Sequence, residues 1–170
     1  MKNKIQTIED AFVFHLQQLV YTESKIKEGL FQSPTPTSLR LKNEIREYAE
    51  SSYSKLLKLE RIFNYLMREP YSRKNLLITQ MIQDATESME LVTTAHVKDI
   101  LIVNCFKCMN AWKTSSYKNA YIYSVELELD TPSDLLQQIL EWEVSAGKSL
   151  ARIAIEEFNN LDLAEIKKLG

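Results

Sequence analysis

Very little in this chain can stop a helix. Across 170 residues there are 3 glycines and 4 prolines, and all but Gly147 fall between, or at the ends of, segments whose apolar residues recur at spacings of three and four. So few breakers combined with that period specify an all-α fold. No internal repeat and no low-complexity segment interrupts the pattern.

The periodic segments divide the chain into helices. The first is predicted to start at "TIED", where Thr7 caps the helix and Asp10 answers it three residues later. Its inner stripe reads Phe12, Leu16, Leu19, Glu23, Ile26 and Leu30, and "FQSPTPTS" breaks it. A second helix is predicted from Ser38 to Met67, with Leu41, Ile45, Tyr48, Ser52, Leu56, Leu59, Phe63 and Leu66 inward, ended by "REPYSR". A shorter one covers Asn75 to Leu91, with "TTAH" as a joint. A long helix from Val97 carries Ile100, Val103, Phe106, Asn110, Lys113, Tyr117 and Ala120. After "LDTPSD", where Thr131 is expected to cap and Pro132 to take the first turn, a last helix shows Leu136, Ile139, Glu143, Ala146, Leu150, Ile153 and Phe158. Four long helices and one short one predict an antiparallel four-helix bundle with one additional short helix. It is expected to form a single domain over 1–170, with a core of about 5–158 and a frayed or separately docked tail at 159–170.

Composition narrows the class. Apolar residues make up 45% and charged residues 26%, as in an ordinary globular protein, and a net charge of −2 gives no general attraction to nucleic acid or anionic lipid. The longest apolar stretch, "ILIVNCFKCMNAW", falls short of the roughly 18 residues that span a bilayer and contains Asn104 and Lys107. The opening "MKNKIQTIEDAF" lacks the apolar region of a secretory signal, so a cytoplasmic location is expected. Two cysteines make no disulfide framework.

Polar residues on inner stripes say more than apolar ones. Glu23, Ser52, Asn110, Lys113 and Glu143 lie on predicted seams near the middle of their helices, and Lys55 lies beside its seam. They are predicted to meet as one buried polar layer. A lone buried carboxylate or ammonium costs several kcal/mol, so each needs a partner or a metal.

Other candidate chemistry is thinner. Cys105 and Cys108 lie inside a helix and not at its N-terminus, where the dipole would activate a thiol, so they read as packed and inert. A zinc site would need two more ligands, and His15 and His96 are the only histidines, both read as structural. The near-helical recurrence of Tyr117, Tyr121 and Tyr123 reads as packing. No P-loop, dinucleotide glycine pattern or Ser-His-Asp motif occurs.

The segments "TIEDAFVFHLQQLVYTESKI", "LKLERIFNYL", "VKDILIV" and "LLQQILEWEVSAGKSLARIA" resemble, in order and spacing over about residues 5–158, the YciF-like family of stress-associated ferritin-like proteins of bacteria. The resemblance implies a ferritin-like bundle, a homodimer and an inward carboxylate cluster suited to two metal ions. That family's first-helix glutamate falls on Glu23 and its last-helix acidic group on Glu141 to Glu143, of which the seam selects Glu143. The middle helices depart from the pattern. Where the family tends to carry a His and then Glu-Glu-Thr, this chain has Tyr48, Glu50, Ser51 and Ser52. Where it tends to read Glu-His-Tyr-Glu, this chain has Asn110, Ala111, Trp112 and Lys113, although Tyr117 matches the tyrosine that follows. A di-iron centre needs about four carboxylates and two histidines. An inward Lys113 ammonium would repel a metal ion. The sequence therefore points to a non-catalytic, homodimeric member without a cofactor, in which Lys113 and Lys55 pair with Glu23 and Glu143. The competing reading is a metal-binding protein that stores iron or handles peroxide, with residual iron or manganese ligands at Glu23 and Glu143.

Overall fold

A computed structural model describes residues 4–28, 36 and 38–168 of the chain, with side chains as far as 159. The expectations for Leu30 and for the stretch 31–35 lie outside the described residues. Five helices occur in it: α1 (Ile8–Glu28), α2 (Leu39–Tyr65), α3 (Leu76–Glu90), α4 (Ala95–Glu126) and α5 (Asp130–Lys168).

Their ends follow from local chemistry. Thr7 Oγ1 accepts from the Asp10 N–H at 3.0 Å, and Asp10 Oδ2 accepts from the Thr7 N–H at 3.1 Å, which closes the capping box that "TIED" predicts. Ser38 and Asn75 cap α2 and α3 through their side chains. Both α2 and α4 close in a Schellman turn, with the Arg68 N–H on the Phe63 carbonyl and the Leu129 N–H on the Ser124 carbonyl, each at 2.9 Å. That geometry puts Met67 (φ 51°) and Glu128 (φ 56°) in the left-handed region.

The tight second turn also moves the start of α5. The helix begins at Asp130, and Thr131 lies inside it instead of capping it. At the other end α5 runs unbroken to Lys168, and the stretch 159–168 contains neither proline nor glycine. Phe158, predicted inward, is about half exposed, and Glu157 takes the buried position instead.

Helix α1 packs against α2 and α4, and α5 packs against α2 and α4, which closes a ring of four. Contacts such as Arg68–Glu9, His15–Tyr123, Arg40–Glu156 and Ser124–Ser133 show that every neighbouring pair in the ring is antiparallel. Since α2 and α4 therefore run the same way, the chain must return along the bundle between them. The short α3 makes this return, packed on α4 and tied to α1 through Tyr21 Oη and Thr79 Oγ1 at 3.0 Å.

The apolar core has two halves. One is built from residues such as Phe12, Leu16, Leu59, Phe63 and Leu136, the other from residues such as Leu41, Ile102, Phe106, Met109 and Leu150. The polar middle positions of the four long helices lie between them.

Candidate functional site: a buried ion layer

Two carboxylates from one pair of opposite corners of the ring and two ammoniums from the other pair meet at the centre. Lys113 Nζ on α4 lies 2.9 Å from Glu23 Oε1 on α1 and 2.7 Å from Glu143 Oε1 on α5. Lys55 on α2 approaches the same Glu143 oxygen and is ion-paired to it. All four side chains are wholly buried. Two ammoniums and two carboxylates make the layer neutral, as a dry interior requires.

Neutral groups complete the layer. The Asn110 amide donates from Nδ2 to the Glu143 carbonyl oxygen at 2.9 Å and to Glu143 Oε2 at 2.8 Å. Tyr117 Oη donates to Glu23 Oε1 at 2.8 Å. Tyr48 donates to Glu143 Oε2 at 3.5 Å and accepts from Lys113 Nζ at 3.4 Å. Its ring also faces both cations, with Lys113 Nζ at 4.5 Å and Lys55 Nζ at 5.3 Å from the centroid. Gly147 on α5 lets Asn110 approach, because a Cβ there would lie 2.5 Å from Asn110 Oδ1.

Of the six residues predicted to share a polar layer, five converge. Ser52 is equally buried, but its hydroxyl donates to the Tyr48 carbonyl one turn back at 3.3 Å, within its own helix. Two participants were not assigned to the layer from the sequence. Tyr48 and Tyr117 sit on the predicted stripes, Tyr48 as an inward position only and Tyr117 as a packing aromatic. Their hydroxyls provided the signal, since a buried phenol needs a polar partner and both lie within a turn of another inward polar residue.

The electrostatics are unequal. Burial works against the Lys113 ammonium, but the carboxylates of Glu23 and Glu143 outweigh it and hold its pKa well above the ordinary lysine value. Burial also acts on Lys55, joined by the neighbouring Lys113 charge, and here the carboxylates do not compensate, so its pKa is lowered. For Glu143, burial opposes the charged form, yet Lys113 and Lys55 prevail and its pKa falls below the usual carboxylate value. Burial pushes both phenols, Tyr48 and Tyr117, upward, and the nearby carboxylates add to the shift of Tyr117.

The remaining candidates stay apart from the layer. The Cys105 thiol is buried, and burial raises its pKa to about 12, whereas Cys108 is exposed. His15 is half-buried against Tyr123, with ring centroids 5.5 Å apart, and burial lowers its pKa. His96 is exposed, Tyr121 is half-buried and Glu141 points outward. Among the described residues no helix is long and apolar enough to cross a membrane.

The chain matches, over residues 7–162, the model of a family described as Domain of unknown function (DUF892). No curated protein matches it. Among solved structures, the chain is similar to the stress protein YciF of E. coli, at 18% identity and a TM-score of 0.84, covering 91% of this chain and 99% of that one. It is also similar to YcfI of Rhodopseudomonas palustris, at 22% identity and a TM-score of 0.82, covering 89% and 97% of the respective chains. At these identities the likeness establishes the shared helical-bundle fold.

A di-metal centre of the ferritin-like kind does not fit the residues present. Glu23 and Glu143 are the carboxylates that reach the layer, both already hold ammoniums, and α2 and α4 supply Lys55, Asn110 and Lys113. Among the described residues no group of three or more His, Cys, Asp or Glu is placed to hold a metal ion.

The inequality of the two lysines predicts unequal mutants. Lys113→Met strips Glu23 of its cation and costs about 3–5 kcal/mol of unfolding free energy in denaturant titration. Lys55→Met leaves Glu143 bonded to Lys113 and Asn110 and costs about 1–2 kcal/mol. Equal losses would contradict the arrangement. The lowered pKa of Glu143 also fixes a pH dependence. Its folded-state pKa lies below the unfolded value near 4.5, so its contribution is complete above that pH and is lost as pH falls through the folded value. Denaturation between pH 6 and 3 should therefore show a fall in stability that Glu143→Gln flattens.

Proposed function

This chain belongs to the DUF892 family, and on that premise we propose that it is a non-catalytic helical-bundle protein with a metal-independent core. A Lys/Glu layer stands where other ferritin-like bundles build a di-metal carboxylate site, and the protein works as a structural or binding component, with no cofactor. The observation that carries the reading is Lys113, whose ammonium lies between Glu23 and Glu143 at 2.9 and 2.7 Å. A divalent ion there would have to displace or neutralise a charge that both carboxylates stabilise.

Its biological setting is read from its relatives in fold. The E. coli neighbour is a stress protein and the Rhodopseudomonas palustris neighbour is proposed to be a structural one. We assign this chain a stress-related role in the cytoplasm on that likeness. It acts as a homodimer, for which Ile122 and Val125 on α4 and Val144 on α5, each close to half exposed, are candidate apolar contacts.

Elemental analysis of the purified protein, after incubation with iron(II) and separately with manganese(II), tests the reading. The expected result is substoichiometric metal and no ferroxidase activity above buffer. Stoichiometric metal that disappears in Glu23→Gln or Glu143→Gln would overturn it.

A further inference from the structure

The geometry around Lys113 specifies more than a lost metal site. We propose that Glu23, Glu143 and Tyr48 form a binding site for a primary alkylammonium ion, and that Lys113 is the ligand of this site, tethered to the chain. The proposal deepens the metal-free reading and rests on it.

Three observations define the ligand class. An alkylammonium has three N–H donors, and Lys113 Nζ has three oxygens within hydrogen-bond reach: Glu23 Oε1 at 2.9 Å, Glu143 Oε1 at 2.7 Å and Tyr48 Oη at 3.4 Å. These are N–H···O distances, longer than the roughly 2.0–2.6 Å at which oxygens hold magnesium or calcium. The Tyr48 ring, with its centroid 4.5 Å from Nζ, adds a face that attracts organic cations.

Charge selects valence. Without the Lys113 ammonium, one cation, Lys55 paired with Glu143, remains for the two carboxylates, and the layer carries one net negative charge. A monovalent cation restores neutrality in this dry site, whereas a divalent one leaves an excess positive charge beside Lys55. Glu23 Oε2 is buried without a hydrogen-bond partner, a spare acceptor that a ligand freed from the tether can use.

Lys113→Ala removes the atoms from Cγ to Nζ, which together make propylammonium. The test measures thermal unfolding of this variant in propylammonium chloride, against sodium chloride and tetramethylammonium chloride at equal ionic strength. Tetramethylammonium has the same charge but no N–H. The expected result is a saturable rise in melting temperature of several degrees with propylammonium alone, smaller with methylammonium and absent in the unmodified protein. An equal response to all three salts would overturn the proposal, as would greater stabilisation by manganese(II). If Lys113→Ala does not fold in sodium chloride, the readout becomes recovery of helical signal on refolding with propylammonium. Recovery supports the site, and failure with every salt refutes it. Stoichiometric metal in the unmodified protein would remove the metal-free reading; a metal-free protein whose variant ignores amines would remove this inference alone.

Discussion

A charge inside a dry helical bundle must find its counter-charge within the same layer, and this requirement organises the molecule. Glu23, Lys55, Lys113 and Glu143 come from four different helices, and each is wholly buried. A shift of any helix by one turn, about 5.4 Å along its axis, would strand an ion at a cost of several kcal/mol. The apolar halves on either side contain interchangeable residues such as Leu, Ile and Phe, which tolerate slippage far better. We therefore assign the layer the task of fixing the register of the ring, while the apolar halves supply most of the stability.

The layer has its own hierarchy. Glu143 is its most connected member, holding Lys113, Lys55, Asn110 and Tyr48. Lys113 joins the α1 carboxylate to the α5 carboxylate, and so links two opposite corners of the ring. Lys55 is peripheral, with one carboxylate within ion-pair distance and a like charge nearby. This asymmetry explains why burial prevails at Lys55 but not at Lys113.

Much of this was legible in the sequence, and the limits have a physical origin. The period of three and four assigns a face to each residue, and it placed Glu23, Asn110, Lys113 and Glu143 inward. Periodicity says nothing about which neighbour an inward side chain reaches. Ser52 lies on the stripe yet bonds its own helix, while Lys55, beside the stripe, bends to the centre on its flexible stem. Tyr48 and Tyr117 looked apolar because their rings fit the pattern; the role of their hydroxyls depends on where the opposite helix stands. Phe158 failed differently. There the count in sevens from Leu136 through Glu143 and Leu150 falls on Glu157, which turns inward, and Phe158, one residue off that register, is left half in water.

The most direct measurement is of the Lys113 ammonium itself, by nuclear magnetic resonance on protein labelled with heavy nitrogen at lysine. The account predicts one ammonium group whose protons exchange slowly with water and couple across hydrogen bonds to the carboxylates of Glu23 and Glu143. That signal should persist well above neutral pH. A lysine complement in which every ammonium exchanges rapidly, with both glutamates hydrated, would contradict it.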